Sequence, residues 1–196
     1  MRNYFKSLVI LLAVFMASSC AQRSVTRVSE DTVIDLSGRW NDTDSQQTSQ
    51  TMIMQSLGEA WLSNFEQKHP GKKPTIIVGF IKNNTDEHIQ SETFIRDLEK
   101  AFINSGRVRL VSGGDKRDEI RKERAQQQDY STEASMKLWG QEIGADYMLQ
   151  GDISSIIDSY QKEKVIFYQV NLQMTDIEST EVVWMGDKKI KKYIKG

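Results

Sequence analysis

Over the last fifty residues apolar and polar positions trade places with a period of two. Val170, Leu172 and Met174 alternate with Asn171, Gln173 and Thr175, which predicts a strand with one buried and one wetted face. "ADYMLQGDISSIIDSY", "KVIFYQVNLQMTDIES" and "EVVWMGDKKIKKYIK" read as three long β segments, the last two joined by a turn around Glu178 to Thr180. Earlier the spacing changes to three and four. Met54, Leu57, Trp61 and Phe65 fall on one helical face, with Ser45 or Thr48 as cap and an end forced before "HPGKKP" by Pro70, Gly71 and Pro74. "TIIVGF" then reads as a short buried strand, Thr75 to Phe80. A helix follows in "SETFIRDLEKAFINSG": Ser91 caps it, Phe94, Leu98 and Ala101 share a face with Ile95 and Phe102 beside them, and Gly106 stops it. "RVRLVS", Arg107 to Ser112, is a second strand, parallel to the first because a helix separates them. "DKRDEIRKERAQQQD" reads as an exposed, charge-rich helix. "STEASMKLWGQEIGAD" reads as an amphipathic one, capped by Ser131, with Met136, Leu138, Trp139 and Ile143 for the core and Gly144 at its end. The order predicts an α/β domain, a mixed sheet packed with helices and closed by an antiparallel meander.

The N-terminal residues follow a different logic. Arg2 and Lys6 precede an unbroken apolar run of ten residues, Leu8 to Ala17, and small residues Ala17, Ser18 and Ser19 come next. This is the pattern of a secretory leader, and the run is about half of the roughly 20 residues a membrane-spanning helix needs. Cys20, the sole cysteine, comes directly after. It resembles the lipidated cysteine of a bacterial lipobox, with Ala17 where a larger aliphatic residue is usual. The alternative is an ordinary leader cut near Ser19 or Ala21, which would leave an unpaired thiol in an oxidising compartment. From Ala21 to about Gln47 the chain is polar and reads as a tether, residues 20–45, ahead of a globular domain at 46–196. Trp40, within "VIDLSGRW", is expected to dock on that domain.

Charge narrows the choice of partner. Without residues 1–19 the chain keeps 24 basic and 27 acidic side chains, a balance that argues against nucleic acid. Candidate chemistry is sparse. His69 and His88 lie in loops without ligands at metal spacing, no nucleophile motif occurs, and "SGGDKRDE" lacks the phosphate-loop signature. Asp86, Glu87, Asp152 and Asp158 could form an acid/base pair for a cell-wall hydrolase, though acids in such a composition are usually surface residues. The lysines of "DKKIKKYIK" suit an edge strand that must not aggregate, or a contact with anionic polymer. The polar loop Asn83, Asn84, Thr85, Asp86, Glu87 and His88 is the candidate for partner contact. The competing reading is that Asn83, Thr85 and Asp86 only make turn hydrogen bonds.

Four blocks make the chain recognisable: "FIKNNTDEHIQSETFIRDLEKAFINSGRVRLV", "RDEIRKERAQQQDYSTE", "GADYMLQGDISSIID" and "YQVNLQMTDIESTEVVWMG". Over roughly residues 31 to 192 the chain resembles the LpoB family, outer-membrane lipoproteins that activate bifunctional class A penicillin-binding proteins. The resemblance implies a domain similar to the N-terminal domain of TolB, anchored through lipid on Cys20 and facing the periplasm. It also implies a peptidoglycan synthase as partner, activation by allostery rather than catalysis, no cofactor, and a monomer. The tether of about 25 residues is shorter than in the best-known members and reaches at most about 85 Å. A CsgG-like export or structural lipoprotein is the alternative. It would require paired membrane-spanning strands with an apolar lipid face, for which the Lys-rich last strand is poorly suited.

Overall fold

In the computed structural model, residues 24–29, 32–129 and 143–196 are described. The chain divides into two units, Met1–Thr32 and Val33–Gly196. In the first, the described residues are exposed and carry neither helix nor strand. The second holds, among the described residues, four helices and five strands. These are α1 (Asp42–Leu57), α2 (Ala60–Lys68), β1 (Thr75–Asn83), α3 (Ser91–Ser105), β2 (Arg109–Leu110), α4 (Gly114–Asp129), β3 (Tyr147–Tyr160), β4 (Glu163–Asp176) and β5 (Val182–Lys195). Val33–Asn41, within the stretch read as tether, belongs to this unit.

The strands form one mixed sheet in the order β2-β1-β3-β4-β5. β1 pairs in parallel with β2 and β3, while β3, β4 and β5 run antiparallel as the meander the alternation predicted. Ile166, Tyr168, Val170, Leu172 and Met174 are all buried on one face of β4. Opposite them on the flanking strands stand Leu149 and Ile153 of β3 and Trp184 of β5. A period of two makes this pattern unambiguous, because slipping the register by one residue would turn every one of these side chains into water.

α3 places Phe94, Leu98 and Phe102 in the core, each contributing roughly 1.5–3 kcal/mol of burial. It ends at Gly106, whose φ of 64° is the left-handed conformation glycine tolerates best. Ser91 is its first helical residue rather than its cap; Gln90 holds the cap position without a side-chain bond.

The first helix departs further from its sequence reading. It breaks at Gly58 into α1 and α2, and it is capped by Asn41 rather than Ser45 or Thr48. Asn41 and Asp44 exchange side-chain bonds to each other's backbone N–H at 3.0 Å, a reciprocal capping box. The inward face of α1 is largely polar, with Asp44, Ser45, Thr48, Ser49 and Ser56 buried beside Met52 and Ile53, while Met54 is 75% exposed. Leu57, Trp61 and Phe65 are buried as their spacing predicts, though from two helices, whereas Met54, before the break, lies outside an inward face that runs through Ser45, Ser49, Met52, Ile53 and Ser56. Trp61 bridges the break by donating its indole N–H to the Ser56 carbonyl at 2.7 Å, and its ring meets Tyr147 of β3 edge-on at 5.1 Å.

Two strands differ in length from their sequence spans. β2 is two residues rather than the span Arg107 to Ser112, and β1 runs on to Asn83 after a register shift between Val78 and Ile81. The shift leaves Phe80 65% exposed and returns Ile81 to the core, as a bulge does. α4 is charge-rich as expected and mostly exposed over residues 114–125, with Lys116 reaching Glu99 of α3 at 3.5 Å. The amphipathic helix expected from Ser131 lies largely outside the described residues. Its last apolar member, Ile143, is 43% exposed and in no helix, so it is not a core residue. No helix among the described residues is long and apolar enough to cross a membrane.

Candidate partner-binding site

The bulge in β1 decides where the candidate loop begins. Beyond it Asn83 pairs in register with Ile153, and the Asn84 N–H donates to the Ile153 carbonyl at 2.8 Å. The chain then turns tightly instead of continuing the sheet. Asn83 Nδ2 donates to the Glu87 carbonyl at 2.7 Å, while its Oδ1 accepts from the Thr85 N–H at 3.0 Å and the Thr85 hydroxyl at 2.8 Å. The Glu87 N–H donates to Thr85 Oγ1 at 3.1 Å and the Ile89 N–H to the Glu87 carbonyl at 2.9 Å. These are local side-chain bonds that replace a backbone ladder. The six candidates therefore split into two groups. Asn83, Thr85 and Glu87 are half-buried and hold the turn, whereas Asn84, Asp86 and His88 are exposed.

Glu87 reaches furthest into the fold. One carboxylate oxygen accepts from the Tyr168 hydroxyl at 2.8 Å and the other from the Trp40 backbone N–H at 3.2 Å. Tyr168 is fully buried in β4. Its pKa is pushed well above the ordinary value of 10.0, first by burial and then by its bond to the Glu87 carboxylate and that group's charge. It thus remains a donor across the physiological range. The Trp40 ring meets Tyr168 at 5.6 Å and Phe94 at 6.0 Å, both edge-on. Beside this contact a groove of about 350 Å³ is lined by Arg39, Trp40, Asp42, His88, Gln90 and Thr93, among others. Sequence reasoning found both Trp40 and the loop but not their junction, since the two are 47 residues apart.

Of the other chemical candidates, Asp152 stands beside the start of the loop, paired in register with Lys82. His69 follows α2 and its ring packs against Phe65 at 4.5 Å. Asp152 accepts from Ser154 at 2.8 Å and lies within 3.3 Å of Asn171 Nδ2, and Asp158 is exposed on β3. Glu87 is tied to Tyr168 and Trp40. Among the described residues no cluster of three histidine, cysteine or carboxylate side chains forms a metal site. Cys20 lies outside the described residues.

A sequence model described as "Peptidoglycan-synthase activator LpoB" matches residues 44–190. The chain belongs to the LpoB family. The candidate loop, residues 83–88, lies inside the matched span. Among solved structures the chain is similar to the LpoB C-terminal domain from Escherichia coli, at 18% identity and a TM-score of 0.46, covering 78% of this chain and 99% of that one. It is likewise similar to the LpoB C-terminal domain from Salmonella enterica, at 16% identity and a TM-score of 0.44, covering 75% and 98%. The NMR structure of E. coli LpoB aligns over 91% of this chain and 88% of that one, at 16% identity and a TM-score of 0.42. No curated protein matches the chain in sequence. The LpoB family is one of activators, so the chemistry to look for is a docking surface rather than a reaction centre.

Proposed function

We propose that this LpoB-family chain is an outer-membrane lipoprotein that binds and allosterically activates a bifunctional class A penicillin-binding protein. The match of the activator family over residues 44–190 carries this reading. In it, residues 1–19 are a leader, Cys20 carries the lipid, the residues after it are a tether, and the domain acts as a monomer in the periplasm without catalysing a step. Thirteen steps separate Cys20 from Val33, a span of at most about 45 Å at full extension. The domain and its partner must therefore cover the remaining distance to a synthase in the inner membrane. Asn84, Asp86 and His88, turned outward from a braced loop, are the side chains offered to that partner. Activation requires that the domain bind the working state of the synthase more tightly than the resting state, since equal affinity would shift nothing.

The test adds residues 31–196 to the purified class A synthase of the same organism while glycan polymerisation and crosslinking are followed. The expected result is a rate that rises and saturates with added domain, with no turnover by the domain alone. Combined replacement of Asn84, Asp86 and His88 by alanine should weaken the response while leaving the fold intact. An unchanged synthase rate, with no binding, would refute the activator reading.

A further inference from the structure

The Val33–Asn41 stretch is fastened at both ends, and each fastening leads to a different part of the domain. On one side Lys192 of β5, its side chain 9% exposed, reaches Asp35 Oδ2 at 3.0 Å and Asp44 Oδ2 at 2.6 Å and donates to the Arg39 carbonyl at 2.9 Å. Gly38 lies directly on Ile194 with φ +66°, and any Cβ there would overlap the isoleucine side chain. On the other side Trp40 covers Tyr168 and Phe94 with its ring and donates its backbone N–H to Glu87. Glu87 is also the residue whose backbone closes the candidate loop, through Asn83, Thr85 and Ile89. A continuous set of bonds therefore runs from β5 through the strap to the loop. Lifting the strap would strip Glu87 of one donor, expose the part-buried Tyr168–Glu87 bond further and leave Lys192 with Asp44 alone.

We infer that Trp40 and Lys192 are positioning residues for the partner site: the docked strap, residues 35–40, holds the 83–88 loop in its shape, so that tether docking and loop presentation are coupled. The assignment of the loop as a partner site rests on the function proposed above; the coupling itself does not. By linkage it is reciprocal, and what loosens the loop loosens the strap by the same factor. A tether pulled off its seat would present a different loop from a docked one.

Amide hydrogen exchange of the full chain tests this without any partner. Trp40→Ala and Lys192→Met should each quicken exchange at Glu87 and Ile89 by tenfold or more, although Lys192 touches neither residue. Central amides of β3 and β4, such as those of Leu149 and Gln173, should stay within twofold, which separates coupling from general destabilisation. Trp40→Phe and Lys192→Arg, which keep a ring and a charge, should restore most of the protection. Glu87→Ala should quicken Gly38 and Trp40 in return. If either variant frees the Gly38 amide while Glu87 and Ile89 keep their native rates, the coupling is refuted. It is refuted equally if neither variant alters the loop. Absence of synthase activation by the native chain, with the exchange pattern as expected, would count against the activator reading and leave the coupling standing.

Discussion

The β3–β5 meander and helix α1 lie against each other, yet they are held by different means. In the meander the inward row is aliphatic or aromatic along β4, from Ile166 to Met174, and the strands pair over nearly their whole length. In α1 the inward row is Asp44, Ser45, Thr48, Ser49, Met52, Ile53, Ser56 and Leu57, and the hydroxyls of Thr48 and Ser56 find no partner among the described residues. The meander is stabilised by burial. α1 buries Met52, Ile53 and Leu57 but depends besides on small residues that let it come close, a cap at Asn41 and the ion pair of Asp44 with Lys192. The difference teaches that a helix next to a self-sufficient sheet need not be strongly amphipathic, provided that specific polar bonds fix its place. It also puts the polar, releasable contacts where the tether enters.

The largest effect should come from the aliphatic row. Leu172→Ala removes a side chain only 1% exposed and should lower unfolding free energy by about 2–5 kcal/mol in a denaturant titration. A loss below 1 kcal/mol would mean that the meander is not the stabilising half. Next is the cap. Asn41→Ala deletes one arm of the capping box and should cost about 0.5–2 kcal/mol, visible in the same titration and as faster exchange in the first turn of α1.

A smaller, local effect is expected at alkaline pH. Burial by itself would lower the Lys192 pKa, but the carboxylates of Asp44 and Asp35 raise it above the ordinary 10.5. A raised folded-state value means that this contribution is complete below about 10.5 and fades as pH climbs through the higher folded value. A fluorine label on the Trp40 ring should therefore report undocking above that pH, and Lys192→Met should abolish the transition. The smallest effect belongs to Met54→Ala. Met54 looked like a core residue from its spacing yet is 75% exposed, so stability should change by no more than about 0.5 kcal/mol. A loss comparable to that of Leu172→Ala would erase the distinction between the two regions.

Legibility followed the same division. β4 could be read residue by residue because alternation is local: each side chain's face follows from its neighbours two positions away. The parallel β1–β2 pair was equally readable, since a helix between two strands leaves few alternatives. α1 was misread because spacing follows apolar residues, whereas its inward face is made largely of small polar ones and leaves Met54 outside; the break at Gly58 was not foreseen either. In the candidate site, the polar loop and Trp40 were each visible as anomalies of composition. The turn hydrogen bonds of Asn83 and Thr85 were legible too, but Asp86, read with them, is exposed, and the bracing role of Glu87 was not visible.

By itself, the sequence determined what short-range physical chemistry can determine: the meander and its buried face, helix α3 with its glycine stop, the absence of a recognisable catalytic motif, and the blocks that mark the LpoB family. Tertiary structure alone decided which face of α1 turns inward, where the first helix divides, and that Lys192, Asp35, Trp40 and Glu87 form one connected set. Those residues are separated by up to 157 positions. Contacts at such separations arise only once the sheet has brought β5 and β4 beside the N-terminal strap, and no pattern of neighbouring residues encodes them.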